Sequence, residues 1–175
     1  EANADEEIES FYYLGSIYEQ NNNINKALLY YRTGSDLGEK RCHFKAGYLL
    51  YHSSNDYYKK IAKHYLERSK DDKCALELLG DIAKEEKEEY LNYYYQAFLK
   101  GADGQKYALS LLENPKTSRK GAQILKSIAK TNSSADFYLF KYYKELNQTK
   151  TAKFYLKRAV NKRCKNAIEY AEEYY

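Results

Sequence analysis

Between Leu14 and Gly38 the chain alternates apolar and polar positions in a helical rhythm. Leu14, Ile17 and Tyr18 fall on one face, and a second apolar stripe follows at Ala27, Tyr30, Tyr31 and Gly34. Asn21, Asn22 and Asn23 separate the stripes. Asn side chains compete for backbone hydrogen bonds and tolerate turn dihedrals, so the first helix stops there. Gly38, free to take a positive φ, ends the second. The stretch reads as two antiparallel helices. Gly15 lets a neighbouring helix approach closely, small Ala27 and Gly34 allow close packing, and the tyrosines fill the gaps.

The same pattern returns down the chain. From the Leu-Gly pair at Gly15, equivalent positions fall at Gly47, Gly80, Ser110, Phe140 and Glu172, with spacings of 32, 33, 30, 30 and 32 residues. Second-helix positions agree: Ala27-x-x-Tyr30-Tyr31-x-x-Gly34 matches Ala152-x-x-Tyr155-Leu156-x-x-Ala159, and Tyr93-Tyr94-x-x-Ala97-Phe98-x-x-Gly101 keeps the frame. Ala62, Tyr65 and Ser69 fit loosely. The weakest unit, Gly121–Lys130, retains Ala122, Leu125 and Ala129. Self-similarity at a fixed period is the signature of a repeat architecture.

Leu-Gly-x-x-Tyr, then Lys-Ala-x-x-Tyr-Tyr, then small residues closing on Gly, resembles the Sel-one-like repeat, a relative of the tetratricopeptide repeat. The gap from Gly38 through Cys42 to Gly47 is the short Sel-type linker. The gap from Leu14 to Ala27 has the tetratricopeptide length. The resemblance implies an all-α, right-handed superhelical α-solenoid of about five helix-turn-helix repeats plus a last helix. It also implies a non-enzymatic adaptor or scaffold, since family members act as adaptors, several of them in endoplasmic-reticulum quality control or bacterium–host contact. It covers residues 5–175 as a single repeat domain, with residues 1–4 a frayed lead-in.

The repeats are expected at about Asp5–Gly38, Glu39–Lys70, Asp71–Gly101, from Ala102, and from Ser133 or Ser134 to Lys162, followed by a helix over Cys164–Tyr175. Turns are expected at Ser53–Asn55, within KEEKEE, at Asn114-Pro115 and at Asn147–Thr149. Asp56 is expected to cap the second helix of repeat two, and Thr117 or Ser118 that of repeat four.

Composition narrows the function. The 22 tyrosines, with no tryptophan, read first as packing residues of the repeat. No apolar run reaches the length of a membrane span, and no signal peptide is visible. Cys42, Cys74 and Cys164 do not form a disulfide framework. They read as buried thiols, with a Cys42–Cys74 bridge left open, and this favours a reducing, cytoplasmic compartment; the resemblance adds the endoplasmic-reticulum lumen. None of His43, His52 and His64 has a His or Cys partner at metal-ligand spacing. No phosphate loop or nucleophile elbow appears. No enzyme activity, metal or cofactor is expected.

Charge is uneven. Lys116–Lys165 holds 14 Lys and Arg against two acids, Asp136 and Glu145. That region is +12 in a chain of +4 overall, so the remainder carries −8. A basic region either solvates a convex surface or attracts acidic protein, RNA or anionic membrane.

By the resemblance, first helices line the concave side. Register then places Tyr12, Ser16 and Glu19; Phe44, Tyr48 and Tyr51; Glu77, Asp81 and Lys84; Tyr107, Leu111 and Asn114; and Phe137, Lys141 and Lys144 on it. The expected partner-binding residues are Tyr12, Phe44, Tyr48, Tyr51, Tyr107, Phe137, Lys141 and Lys144. Aromatic rings there dock a peptide or partner subunit, and the two lysines add a clamp for an acidic segment. RNA binding through residues 116–165 is one alternative. Another, suggested by the unpaired last helix and the absent initiator Met, is a regulatory domain of a larger protein.

Overall fold

A computed structural model describes residues 2–53 and 55–174. Among them there are eleven helices and no strand. They are α1 (Ala2–Gln20), α2 (Ile24–Asp36), α3 (Lys40–Tyr51), α4 (Asp56–Glu67), α5 (Lys73–Glu85), α6 (Leu91–Leu99), α7 (Gln105–Leu112), α8 (Ser118–Ile128), α9 (Ser133–Glu145), α10 (Thr149–Asn161) and α11 (Lys165–Tyr174). They pair as five hairpins and a last helix, as the register predicts. The lead-in differs: α1 already begins at Ala2, while Glu1 lies outside the described residues. The helices group into two compact units, Glu1–Lys100 and Gly101–Tyr175.

In the first unit α1, α3 and α5 lie side by side, each paired with the helix that follows it. Its core runs through Ala27, Tyr31, Cys42, Ala46, Leu50, Ala62, Leu66 and Leu79. The second unit packs α7 on α8 and α9 on α10, with α11 against α9 and α10. One of its cores gathers Ala108, Leu125 and Leu139, the other Phe140, Leu156 and Ala167.

Two devices recur at repeat spacing. Tyr18 stacks on Tyr30 at 5.3 Å and 7°, and Tyr143 stacks on Tyr155 at 5.4 Å and 3°. These are the same repeat positions in the first and fifth hairpins. The second device joins a glycine of the first helix to a tyrosine of the second. A Cβ on Gly15 would lie 2.5 Å from the Tyr31 ring, and one on Gly80 would lie 2.4 Å from the Tyr94 ring. Each tyrosine then donates its hydroxyl to a first-helix acid, Tyr31 to Glu19 at 2.7 Å and Tyr94 to Asp81 at 2.8 Å. The acid satisfies the one polar atom of a ring that is otherwise buried in the hairpin.

Turn chemistry follows the sequence with two corrections. Asn23 caps α2 by accepting from Lys26 N, and Asn132 caps α9 by accepting from Ser134 N and Ala135 N. At α4 the cap is Asn55, not Asp56; its side chain accepts from Tyr57 N at 2.9 Å. Ser54 of that turn lies outside the described residues. At α8 Thr117 holds the cap position without making a capping bond. Its hydroxyl instead donates back to Leu111 O at 2.7 Å, which satisfies a carbonyl at the end of α7.

The cysteines are all free. Cys42 and Cys164 are buried, as expected, whereas Cys74 is exposed. Burial pushes the Cys42 thiol up to about 12, so it stays protonated and unreactive. Among the described residues no helix is long and apolar enough to cross a membrane, and no cluster of His, Cys, Asp and Glu could hold a metal.

Candidate functional site

The first unit brings four of the expected residues together. Tyr12 on α1 and Phe44 on α3 line one cleft of about 520 Å³. Phe44 meets Tyr48 at 5.8 Å, Tyr48 meets His52 at 4.3 Å, and His52 meets the edge of Tyr51 at 5.1 Å. The result is an aromatic strip along α3, running away from the cleft. Tyr48 is 39% exposed, while Tyr51 and Phe44 are half-buried against the core.

The cleft itself sits where the α2–α3 and α4–α5 turns meet. Its walls include Lys40, Arg41, His43 and Lys45 from α3, and Arg68, Ser69, Asp71 and Asp72 from the α4–α5 turn. Arg41 bonds Glu39 through Nε at 3.0 Å and lies 4.5 Å from the Tyr12 ring centre. Lys45 donates to Glu19 at 2.9 Å.

Glu19 therefore has two partners, the Tyr31 hydroxyl and the Lys45 ammonium. Burial by itself would raise its carboxyl; the hydrogen bonds from Tyr31 and Lys45 outweigh that and hold it below the usual carboxylate range. Burial and Glu19 together raise Tyr31. A depressed carboxylate stabilises the fold above its unfolded pKa, and that stability is lost as pH falls through the folded value. The melting midpoint, followed by circular dichroism, is expected to drop as the solution is acidified below about pH 4.5. Glu19→Gln should flatten that drop; an unchanged acid profile in the variant would remove Glu19 as its source.

The other expected residues lie in the second unit. Tyr107 and Phe137 are only 6% and 4% exposed. They are packing residues with almost no ring surface left for a ligand, a correction to their expected groove exposure. Register gives the face of a helix but not how deeply a later hairpin covers it. Lys141 lies over the Phe137 ring at 4.9 Å, and Lys144 donates to the Tyr170 hydroxyl at 2.6 Å. Both line a shallow hollow with Phe140, Glu145, Asn147 and Tyr170. Structure also divides the basic region. Arg158 and Lys162 both bind Asp136, which is 0% exposed. Lys120 reaches the Tyr107 hydroxyl, and Lys126 lies over the Tyr143 ring. Many of these cations thus serve the fold.

Sequence reasoning missed Ser35, Arg68 and Ser69. Ser35 and His43 are both buried and bonded through Oγ and Nδ1 at 2.6 Å. Arg68 donates to Ser35 O at 2.9 Å and to Ser35 Oγ at 3.4 Å, tying α4 to α2. The only signal was the polarity of Ser35 and Ser69 at otherwise apolar repeat positions.

No protein-family model matches the sequence, and no curated protein matches it. Among solved structures the chain is similar to the Sel1 repeat protein from Oxalobacter formigenes, with a TM-score of 0.68 and 17% identity over 91% of this chain and 75% of that one. It is similar to MamA at a TM-score of 0.70 and 17% identity, over 88% of this chain and 96% of that one. It is also similar to YrrB, a TPR protein with an unusual peptide-binding site, at a TM-score of 0.68 and 14% identity, over 93% and 90% of the two chains. At such identities the likeness shows the fold alone, an all-α fold of stacked helix-turn-helix repeats like those of the Sel1 repeat and TPR structures.

Proposed function

We propose that the protein is a non-enzymatic interaction scaffold that holds a peptide or a partner's extended segment on the first-helix face of residues 1–100. The observation that carries this reading is the continuous aromatic strip of Phe44, Tyr48 and Tyr51, leading into the cleft beside Tyr12. Large, rigid aromatic side chains supply contact area at low entropy cost and are the usual anchors of a binding hot spot. The repeat fold supports it too, and YrrB, one of the similar structures, has a peptide-binding site. In the second unit, Lys141 and Lys144 offer a separate, basic contact for an acidic segment.

A displayed peptide library selected on the wild-type chain tests this. Tyr48→Ala should weaken the selected peptides at least tenfold, about 1.4 kcal/mol or more, because a buried aromatic anchor is worth about 2 kcal/mol or more. The helical circular-dichroism signal should persist, since Tyr48 stands outside the core cluster. Equal affinity in the variant would count against this face. Capture of the native partner, identified by mass spectrometry, extends the comparison to the cell.

A further inference from the structure

We propose that the cleft of the first unit binds a phosphomonoester, carried on a partner peptide, through Ser69, His43 and Lys40. Two buried side chains open the argument. Ser69 is 8% exposed, lines the cleft, and its Oγ has no hydrogen-bond partner. Buried hydroxyls are ordinarily satisfied, so an orphan just behind a cavity wall marks a place for an acceptor, which a turn of the Ser69 χ1 toward the cleft would reach. His43, 6% exposed, also lines the cleft. The proposed site has Ser35 Oγ giving its own hydrogen to His43 Nδ1 while it accepts from Arg68. Burial, reinforced by the Arg68 charge, lowers the His43 pKa, so the ring is neutral. A neutral ring that accepts at Nδ1 carries its hydrogen on Nε2, and Nε2 has no partner among the described residues. The cleft is thus lined by one buried hydrogen-bonding side chain from α3, His43, and one from the α4–α5 turn, Ser69.

Charge selects the acceptor. Lys40, Arg41, Lys45 and Arg68 line the cleft against only Asp71 and Asp72. Asp71 pairs with Lys100 at 3.4 Å with its side chain in solvent, and Asp72 accepts from Cys74 N and Ala75 N to cap α5. Arg41, Lys45 and Arg68 have carboxylate partners, while Lys40 has none among the described residues. A phosphomonoester brings close to two negative charges and three acceptor oxygens, which suits a wall of donors better than the single charge of a carboxylate or a phosphodiester. The volume of about 520 Å³ exceeds what one ion fills, and the Tyr12 and Phe44 rings leave room for the residue that carries it. This deepens the scaffold reading by naming the chemistry of one partner group.

Calorimetry and thermal unfolding of the full 175-residue chain test it at constant ionic strength, with four probes: inorganic phosphate, phenyl phosphate, acetate and an oligouridylate. Phosphate should raise the melting midpoint, and phenyl phosphate should bind about tenfold tighter because its ring reaches the aromatic wall. Ser69→Ala should leave the midpoint without ligand equal or higher, since an unsatisfied hydroxyl is removed, and should abolish the phosphate response. Lys40→Met should weaken phosphate several-fold. A phosphate response that survives Ser69→Ala overturns the proposal. Acetate binding as tightly as phosphate overturns it in favour of a carboxylate, and oligouridylate doing so overturns it in favour of RNA. Free phosphate binding as tightly as phenyl phosphate removes the carrier peptide from it. Tyr48→Ala should keep the phosphate response while losing selected peptides, so this proposal and the scaffold reading fail separately.

Discussion

Gly80→Ala is expected to destabilise the protein by about 1–3 kcal/mol, although alanine is the better helix former. The added Cβ would lie 2.4 Å and 2.6 Å from two carbon atoms of the Tyr94 ring. That ring cannot retreat: it is buried, and its hydroxyl is anchored to Asp81 at 2.8 Å. The propensity gain of about 1 kcal/mol therefore works against a larger packing penalty. For a chain of this size a net loss of about 2 kcal/mol lowers Tm by about 4–8 °C. Gly15→Ala should behave alike, because Tyr31 is held by Glu19 in the same way. A double-mutant cycle is the discriminating measurement. Gly80→Ala combined with Tyr94→Ala should cost less than the sum of the single changes, since the smaller side chain leaves nothing to strike. Strict additivity, or a raised Tm for Gly80→Ala alone, would refute the close contact.

The second large effect concerns Asp136. Its carboxylate is wholly buried and receives Arg158 Nε at 2.9 Å, Arg158 Nη2 at 2.5 Å and Lys162 Nζ at 2.7 Å. Lys162 donates in addition to Ala129 O, so one ammonium links α10 to α9 and to the end of α8. The two cations remain about one-third exposed and keep part of their hydration. The acid has no such escape. Replacing both cations, Arg158→Met with Lys162→Met, should cost about 3–5 kcal/mol, because an uncompensated buried carboxylate is left behind. Adding Asp136→Leu should recover most of that loss, since a packed apolar group removes the charge that needed compensation. Urea unfolding followed by circular dichroism reads both variants. A double variant as stable as wild type would show that the carboxylate reaches water by itself.

The hairpins were legible in the sequence because helix and turn signals are local. Three asparagines stop α1, Asn23 and Asn132 cap the helices that follow them, and Leu-Gly pairs recur where helices must touch. Even the stacked tyrosines of the first and fifth hairpins sit at matched repeat positions. The candidate site was legible only in part. The register that nominated Phe44, Tyr48 and Tyr51, which lie in one aromatic strip, also nominated Tyr107 and Phe137, which the folded chain buries. Glu19 and Asp81 read as groove-facing acids, yet each is engaged by a tyrosine of the second helix. The basic stretch read as one surface, yet Asp136 draws two of its cations inward.

Periodicity and turn residues, which depend on neighbours a few positions apart, determined that the chain is all-α and built of hairpins about thirty-two residues long. Which polar groups those hairpins bury was decided only in three dimensions. Ser35, His43, Arg68 and Ser69 come from α2, α3 and the turn after α4, and no spacing along the chain announces their meeting. The physical reason is that solvation is set by what packs across a residue, and in a repeat protein that neighbour belongs to the next hairpin.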